Sequence, residues 1–99
     1  MTTKLNDSEI TAGLNSLNNQ LKQPWTIDNK KLHKTFDCGN FINAFSFMTR
    51  VAIYAEKANH HPEWSNVYKT VVIHLVTHEV EGISAKDFEL AKHIETTSI

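Results

Sequence analysis

The sequence predicts an α+β fold in which helices cover one face of a four-stranded antiparallel sheet, in the order α-β-β-α-β-β-α. Two observations carry this prediction. Three segments have apolar residues at the three- and four-residue spacing of helices, and the two segments between them are rich in β-branched and aromatic residues around turn signals. Helices that alternate with paired strands are typical of a sheet with helices packed on it. With 99 residues, we expect a single domain spanning 1–99.

The composition is that of an ordinary globular chain. Hydrophobic residues make up 40%, charged residues 21%, and the formal net charge is −1, which gives no reason to expect disorder, direct nucleic-acid binding or membrane binding. Cys38 is the only cysteine, which excludes an intramolecular disulfide and is typical of a reducing compartment. No stretch approaches the ~20 apolar residues that span a bilayer, and the N-terminal stretch lacks a secretory pattern. We expect a cytoplasmic protein, or also a nuclear one in a eukaryote.

The N-terminal third predicts a helix followed by a β-hairpin. Apolar residues recur at helical spacing between Asn6 and Lys22, and Gln23-Pro24 ends the helix because proline lacks the amide donor. The segment from Trp25 to Phe36 predicts two short strands around a turn at Asp28-Asn29-Lys30. The candidate N-caps of the helix are Asn6, Asp7 and Ser8.

The middle of the chain predicts a long helix that is apolar on most of its circumference. Gly39-Asn40 supplies a break and an N-cap, and two apolar rows follow. The rows are Phe41, Ala44, Phe45, Met48, Ala52 and Ala55, and beside them Phe47, Val51, Tyr54 and Ala58. Such a helix is either covered on two sides, by the sheet and by another subunit, or is the central core helix of a monomer. Because Pro62 restricts the residue before it, we expect the helix to end there, with His61 just past it.

The C-terminal third predicts a second pair of strands and a last helix. From Trp64 to Val80 the chain is rich in β-branched residues, with a turn near Tyr68-Lys69-Thr70. Side chains alternate along a strand, which places three residues on one face, with the last at the strand's end: His74, Val76 and His78. Ser84 and Asp87 form a capping-box pair at the start of the last helix.

Three of the six histidines fall where scaffolds usually present reactive groups. His60 and His61 follow the central helix, and His78 ends a strand, so the three could converge. Three neutral imidazoles could hold zinc with one position open, but HLVTHE lacks the glutamate of the helical H-E-x-x-H motif, and we favour metal-free proton transfer. The other histidines are assigned surface or structural roles: His33, His74 and His93.

Two stretches resemble the pterin-4a-carbinolamine dehydratase family. They are AEKANHHPEWSNVY from Ala55 to Tyr68 and THEVEGISAKDFELA from Thr77 to Ala91, with FSFMTRVAIYAEK from Phe45 to Lys57 adding to the match. The resemblance runs from about Trp25 to the C-terminus. It implies a lyase without metal or cofactor that removes water from the 4a-hydroxytetrahydropterin released by aromatic amino acid hydroxylases, giving the quinonoid dihydropterin.

The resemblance also implies roles for individual residues. His60 and His78 resemble the acid and base histidines, in an order that stays open, and His61 resembles the histidine that binds and orients the pterin. Residues implied to flank the substrate are Asn59, Thr77 and Glu79, and the implied outer members of the site are Asp87, Glu56 and Trp25. Each outer member has a plainer reading, as a helix cap, a solvated helix end and a core residue respectively.

Two positions depart from the family pattern. Some relatives carry aspartate where this chain has Asn59, so a carboxylate that would raise the basicity of a neighbouring histidine is missing here. Val76 replaces a small hydroxyl residue common before the T-H pair, which would remove one hydrogen bond to the substrate.

An alternative function is that of a protein-binding module. Animal relatives serve as dimerisation cofactors of a homeodomain transcription factor through the long central helix, so the resemblance implies a helical partner as the alternative to the enzyme. The apolar helix from Phe41 to Ala58 is compatible with that role or with a homodimer or homotetramer. Phe47 is predicted to point outward on this helix.

Overall fold

The computed structural model describes residues 2–99. Within that range the chain forms three α-helices and one four-stranded antiparallel sheet, in the predicted order. The elements are α1 (Asp7–Asn18), β1 (Thr26–Asp28), β2 (Lys31–Asp37), α2 (Phe41–Ala58), β3 (Glu63–Val67), β4 (Thr70–Leu75), a short 3₁₀ helix (His78–Val80) and α3 (Ala85–Thr96).

The sheet joins two hairpins in the order β1-β2-β4-β3. The first turn falls at the predicted place, where Asn29 and Lys30 both have positive φ, 52° and 62°, as a two-residue hairpin loop requires. The second turn follows Val67 and uses Tyr68 at φ 51° in place of a glycine. Strands β2 and β4 pair from Leu32 opposite Leu75 to Asp37 opposite Thr70, so they form the centre of the sheet.

One face of the sheet carries the core and the other is open. Alternate residues of β2 and β4, among them Leu32, Ile73 and Leu75, are fully buried beneath the helices. Their neighbours along each strand, including His33 and His74, point to the opposite face and are only half-buried. The helices contribute Leu17, Phe47, Val51, Leu90 and Ile94 to the core. The predicted two-layer arrangement, with helices on one face, is confirmed.

Both predicted helix ends need correction. Helix α1 stops at Asn18 instead of Lys22. The side-chain amide of Asn18 accepts the backbone N–H of Trp25 at 2.8 Å and donates to the carbonyl of Trp25 at 2.9 Å, and these bonds tie the chain down after the helix. Helix α2 ends at Ala58, four residues before Pro62, because Asn59 adopts a left-handed conformation.

Two further predictions were wrong. Strand β4 ends at Leu75, so Val76 and His78 do not continue it, and His78 begins the 3₁₀ helix. The ladder breaks because the next pairing, Thr77 with Gly82, closes a tight loop of the chain on itself. Phe47 is fully buried against the sheet, and the outward apolar side chains of α2 include Phe45 and Ile53.

Within residues 2–99 no helix combines the length and apolarity needed to cross a bilayer.

Candidate active site

The end of α2 fixes the position of His60. Asn59 has φ 54° and ψ 41°, a left-handed conformation that asparagine tolerates better than most residues. The backbone N–H of Asn59 donates to the carbonyl of Glu56 at 3.1 Å, and that of His60 donates to the carbonyl of Ala55 at 3.0 Å. These bonds satisfy the last carbonyls of the helix, as in a Schellman motif. The backbone of His60 is therefore set by the helix end itself.

Asp87 holds the ring of His60 from the first turn of α3. Its Oδ1 lies 2.6 Å from His60 Nε2, and the carboxylate is fully buried while His60 remains 12% exposed. The second oxygen, Oδ2, accepts the backbone N–H of Ser84 at 2.9 Å, which completes the predicted capping box. Thr77 Oγ1 donates to the same Oδ2 at 2.8 Å. Asp87 thus caps its helix and binds a predicted site histidine at the same time.

The carboxylate of Asp87 determines which ring nitrogen of His60 carries the proton. A carboxylate only accepts hydrogen bonds, so Nε2 of His60 carries the proton and Nδ1 of the neutral ring keeps a lone pair. The network extends further, because the backbone N–H of Lys86 donates to Ser84 Oγ at 3.2 Å and Ser84 Oγ lies 2.7 Å from Thr77 Oγ1. Within residues 2–99 no buried side-chain nitrogen or oxygen lacks a partner. Such a complete network keeps the ring in one orientation.

His78 is paired with a carboxylate of the edge strand. Its Nε2 lies 2.8 Å from Glu63 Oε2, and its side chain is 76% exposed. The other oxygen of Glu63 accepts from Lys31 Nζ at 2.6 Å. The hydrogen bond from Lys31, supported by His78, holds the pKa of Glu63 below its usual range. The carboxylate of Glu63 is therefore positioned to act as a counter-ion to the ring of His78.

His61 lies on the surface beside α2. Its Nε2 is 2.8 Å from Glu56 Oε1, and both side chains are exposed. The contact joins two residues that the sequence assigned to the same site. Because neither side chain is enclosed, a ligand can displace the contact at small cost.

Contacts and short chain segments connect the three histidines. Thr77 contacts the carboxylate that holds His60, and the residue after Thr77 is His78. Glu63, the partner of His78, follows His61 by two residues. Each of the three rings contacts a different carboxylate. The three histidines are not grouped as metal ligands. Within residues 2–99 one group of three potential ligands has its ligand atoms within 4.8 Å of one another, and it consists of Asp28, His33 and His74.

Glu79 and Val76 are the remaining residues that the sequence placed beside the substrate. Glu79 is exposed and accepts from Lys86 Nζ at 2.9 Å, and this bond is the main reason why the pKa of Glu79 lies below its usual range. Val76 is half-buried and immediately precedes Thr77. Glu79 is therefore bound to α3, next to the Asp87 network.

Trp25 lies in the core, at the opposite end of α3 from Asp87. It is 1% exposed, its indole N–H donates to Glu95 Oε2 at 2.8 Å, and its ring packs edge-on against Phe36 at 5.9 Å. Glu95 lies eight residues beyond Asp87 on α3, which corresponds to about 12 Å along the helix. The structure therefore brings Asp87 and Thr77 to His60, and Glu56 to His61, but encloses Trp25 in the core at the other end of α3.

The family model described as pterin 4 alpha carbinolamine dehydratase matches residues 3–97 of this sequence. This match covers nearly the whole chain and both histidine segments. The chain belongs to the pterin-4a-carbinolamine dehydratase family. The resemblance seen in the two motifs is thereby confirmed.

Individual members of the family are similar over most of the chain. A putative pterin-4-alpha-carbinolamine dehydratase of Solibacter usitatus is 48% identical over 95 residues, covering 96% of this chain and 95% of the relative. The pterin-4-alpha-carbinolamine dehydratase of Drosophila melanogaster is 44% identical over 100 residues, covering 99% of this chain and 50% of that protein. The crystal structure of a transcriptional coactivator/pterin dehydratase from Brucella melitensis matches with a TM-score of 0.88 at 31% identity, covering 98% of this chain and all of that one.

Two contributors in this dehydratase-family fold were not assigned to the site from the sequence. Glu63 lies inside the motif NHHPEW, and its position two residues after His61 was the available signal. Ser84 was identified only as a helix cap, although its hydroxyl also contacts Thr77. Neither contact can be read from spacing, because both depend on how the 3₁₀ helix after β4 folds back toward α3.

Proposed function

We propose that this chain is a pterin-4a-carbinolamine dehydratase, a lyase that releases water from 4a-hydroxytetrahydropterin. The supporting observation is the buried Asp87, which orients His60 with one free ring nitrogen and is joined through Thr77 to the segment carrying His78. The proposed setting is the recycling of tetrahydrobiopterin for aromatic amino acid hydroxylases. Family membership supports the reaction class.

The reaction needs one proton delivered and one removed. The bond from C4a to the hydroxyl oxygen breaks, and the oxygen leaves as water after it gains a proton. The N5–H bond breaks, and its electron pair forms the second bond between N5 and C4a. Imidazole suits both transfers near neutral pH, and each contributes typically ~10²–10⁴-fold.

We assign the base to His60 and the acid to His78. Neutral His60 offers Nδ1 as the acceptor because Asp87 takes the proton on Nε2. Asp87 then stays beside the imidazolium that forms, which is the role of an orienting carboxylate in catalytic triads. His78 carries the proton for the leaving hydroxyl, with the anionic Glu63 at 2.8 Å as its counter-ion.

We assign binding of the pterin to the exposed residues around these two rings. His61 and Glu56 exchange their mutual contact for contacts to the substrate, and Asn59 presents its amide at the left-handed turn between them. These residues position the bicyclic substrate and take no proton from it. Their loss is therefore expected to raise KM more than it lowers kcat.

The decisive experiment is a rapid-mixing assay of carbinolamine decay on purified protein with and without a chelator. We expect His60→Ala and His78→Ala each to lower kcat by about 10²–10⁴-fold. His93→Ala serves as the matched histidine control. The ring of His93 stacks on that of Tyr54, with 3.5 Å between the centroids, and His93 lies six residues beyond Asp87 on α3. Full activity in both site variants would contradict the proposal, and turnover abolished by the chelator would contradict metal-free catalysis.

A second proposal concerns association through α2. The helix exposes a row of large apolar side chains on the face turned away from the core: Phe41, Ile42, Phe45 and Ile53. An exposed row of this kind on one helix is typical of a helix–helix interface. We propose that α2 packs against α2 of a second copy, giving a homodimer or a homotetramer, and that a helical segment of a transcription factor is the alternative occupant.

Light scattering of the purified chain distinguishes the two occupants. Self-association predicts an oligomer that Phe45→Glu or Ile53→Glu converts to monomer, while Asn15→Glu on the exposed face of α1 leaves it intact. A wild-type monomer would contradict self-association, and retention of a helical partner by that monomer would favour the coactivator role.

A further inference from the structure

Three potential metal ligands meet on the open face of the sheet, opposite the helices. Asp28 ends β1, His33 lies on β2, and His74 lies on β4 directly opposite His33. Each residue offers one ligand atom, and these atoms all lie within 4.8 Å of one another. Three separate strands therefore hold the group in place, and none of its members takes part in the proposed dehydration.

A backbone hydrogen bond fixes the tautomer of His33. Its Nδ1 lies 3.1 Å from the carbonyl oxygen of Ile73, and a carbonyl only accepts, so Nδ1 carries the proton. The lone pair of the neutral ring is then on Nε2. Histidines that bind metals commonly donate their other ring nitrogen to a carbonyl or carboxylate in this way.

His74 and Asp28 complete the donor set. His74 Nε2 lies 2.9 Å from Asp28 Oδ2, and the rings of His33 and His74 are stacked at 4.4 Å with 23° between their planes. The hydrogen bond from His74 holds the pKa of Asp28 below its ordinary value. His74 is 25% and Asp28 60% exposed, so water can reach the group and fill the remaining coordination positions.

We propose that Asp28, His33 and His74 bind a divalent transition metal ion, with Zn²⁺ as the first candidate. Two imidazole nitrogens and one carboxylate oxygen suit Zn²⁺ and other divalent first-row transition metal ions. Mg²⁺ and Ca²⁺ instead prefer ligand sets made of oxygen atoms alone. An ion bound at His74 Nε2 takes the place of the hydrogen bond to Asp28, and the proton of the neutral ring moves to Nδ1. The bound ion joins β1 to β2 and β4. It raises the stability of the folded chain by mass action, independently of any pterin.

The test is Zn²⁺ titration by calorimetry on tag-free, full-length chain that carries His60→Ala, His61→Ala and His78→Ala. This background removes His60, His61 and His78 as sources of binding. We expect one Zn²⁺ per chain, a higher Tm with Zn²⁺, and affinity weakened at least about 10- to 100-fold by His33→Gln, His74→Gln or Asp28→Asn. His93→Gln is the matched control, since it makes the same change at a histidine stacked on Tyr54, and it should leave the affinity unchanged.

Two outcomes would overturn the proposal. One is the absence of saturable Zn²⁺ or Co²⁺ binding in the triple-alanine background. The other is binding that survives His33→Gln and His74→Gln with the wild-type affinity. Circular dichroism of each variant separates lost ligands from lost fold, and a variant that fails to fold is replaced by the milder Asp28→Asn, which alters only an exposed side chain.

Discussion

Two carboxylates at opposite ends of α3 are held by protein donors, and they serve different purposes. Asp87 in the first turn holds His60, which remains partly exposed and keeps one ring nitrogen free. Glu95 in the last turn accepts from Lys34 Nζ at 2.6 Å and from the indole of Trp25 at 2.8 Å, and both donors are buried. The difference lies in the donor, since only the ring of His60 keeps a nitrogen that can accept a proton from a ligand.

The role of each carboxylate depends on whether the donor that it binds is enclosed or exposed. A carboxylate whose donors are all enclosed can only stabilise the fold. A carboxylate that orients an exposed imidazole can also control which nitrogen carries the proton. Substitutions at the Asp87 end should therefore change turnover, and substitutions at the Glu95 end should change only stability.

The largest effect is expected for Asp87→Asn. The backbone N–H of Ser84 can only donate, so the amide oxygen must take the place of Oδ2 and the amide nitrogen must face His60. His60 Nε2 then becomes the acceptor and Nδ1 carries the proton, which reverses the tautomer needed for the base. We expect kcat to fall about 10²–10⁴-fold, as for orienting carboxylates in catalytic triads.

Unfolding in urea provides the control for Asp87→Asn. The amide keeps the size of the side chain and its contact to the Ser84 N–H, so stability should fall much less than activity. A variant with wild-type turnover would show that Asp87 only caps α3.

At the other end of α3, Lys34→Met should reduce stability and leave turnover per folded molecule unchanged. The side chain of Lys34 is 8% exposed and that of Glu95 19%, so removal of the lysine leaves a mostly enclosed carboxylate with one donor, Trp25. Breaking such a pair costs about 3 kcal/mol of unfolding free energy. In a Glu95→Gln background the same substitution should cost less, and equal costs in both backgrounds would contradict a coupled pair.

Trp25→Phe tests whether Trp25 belongs to the site, as the sequence resemblance implies, or only to the core, where the structure places its ring. The sequence resemblance implies an outer member of the site, whereas the indole donates to Glu95 inside the core. We expect a loss of about 1–2 kcal/mol, from one hydrogen bond and a small cavity, with kcat and KM unchanged. A fall in kcat without unfolding would return Trp25 to the site.

The fold was largely predictable because its signals are local. Apolar spacing, the turn at Asn29 and Lys30, and the capping box of Ser84 and Asp87 each depend on residues close in sequence. The predictions that were wrong depended on contacts across the chain. Asn18 ends α1 by bonding to Trp25, and a bridge between Thr77 and Gly82 stops β4 before His78.

The sequence indicated the three histidines of the candidate site but not which carboxylate each of them contacts. His60, His61 and His78 follow from motif and position, but their partners Asp87, Glu56 and Glu63 come from three different elements. The group of Asp28, His33 and His74 had no sequence signal, because strand register alone brings the three together. Register depends on the whole sheet and cannot be read from any one strand.

The smallest predicted effect concerns acid stability at Glu63, whose side chain is 39% exposed and thus more accessible than those of Asp87 and Glu95. Lys31 and His78 lower its folded pKa below the ordinary value of 4.5, so the stabilisation is complete above that value and is lost as the pH falls through the lowered pKa. Solvent screening limits it to about 0–1 kcal/mol. Urea unfolding at neutral and at acidic pH should therefore show a smaller loss of stability on acidification for Glu63→Gln than for wild type. Glu89→Gln, at an exposed carboxylate on α3, is the matched control, and identical pH dependence in wild type and Glu63→Gln would contradict the assignment of Glu63 as the ionised partner of His78.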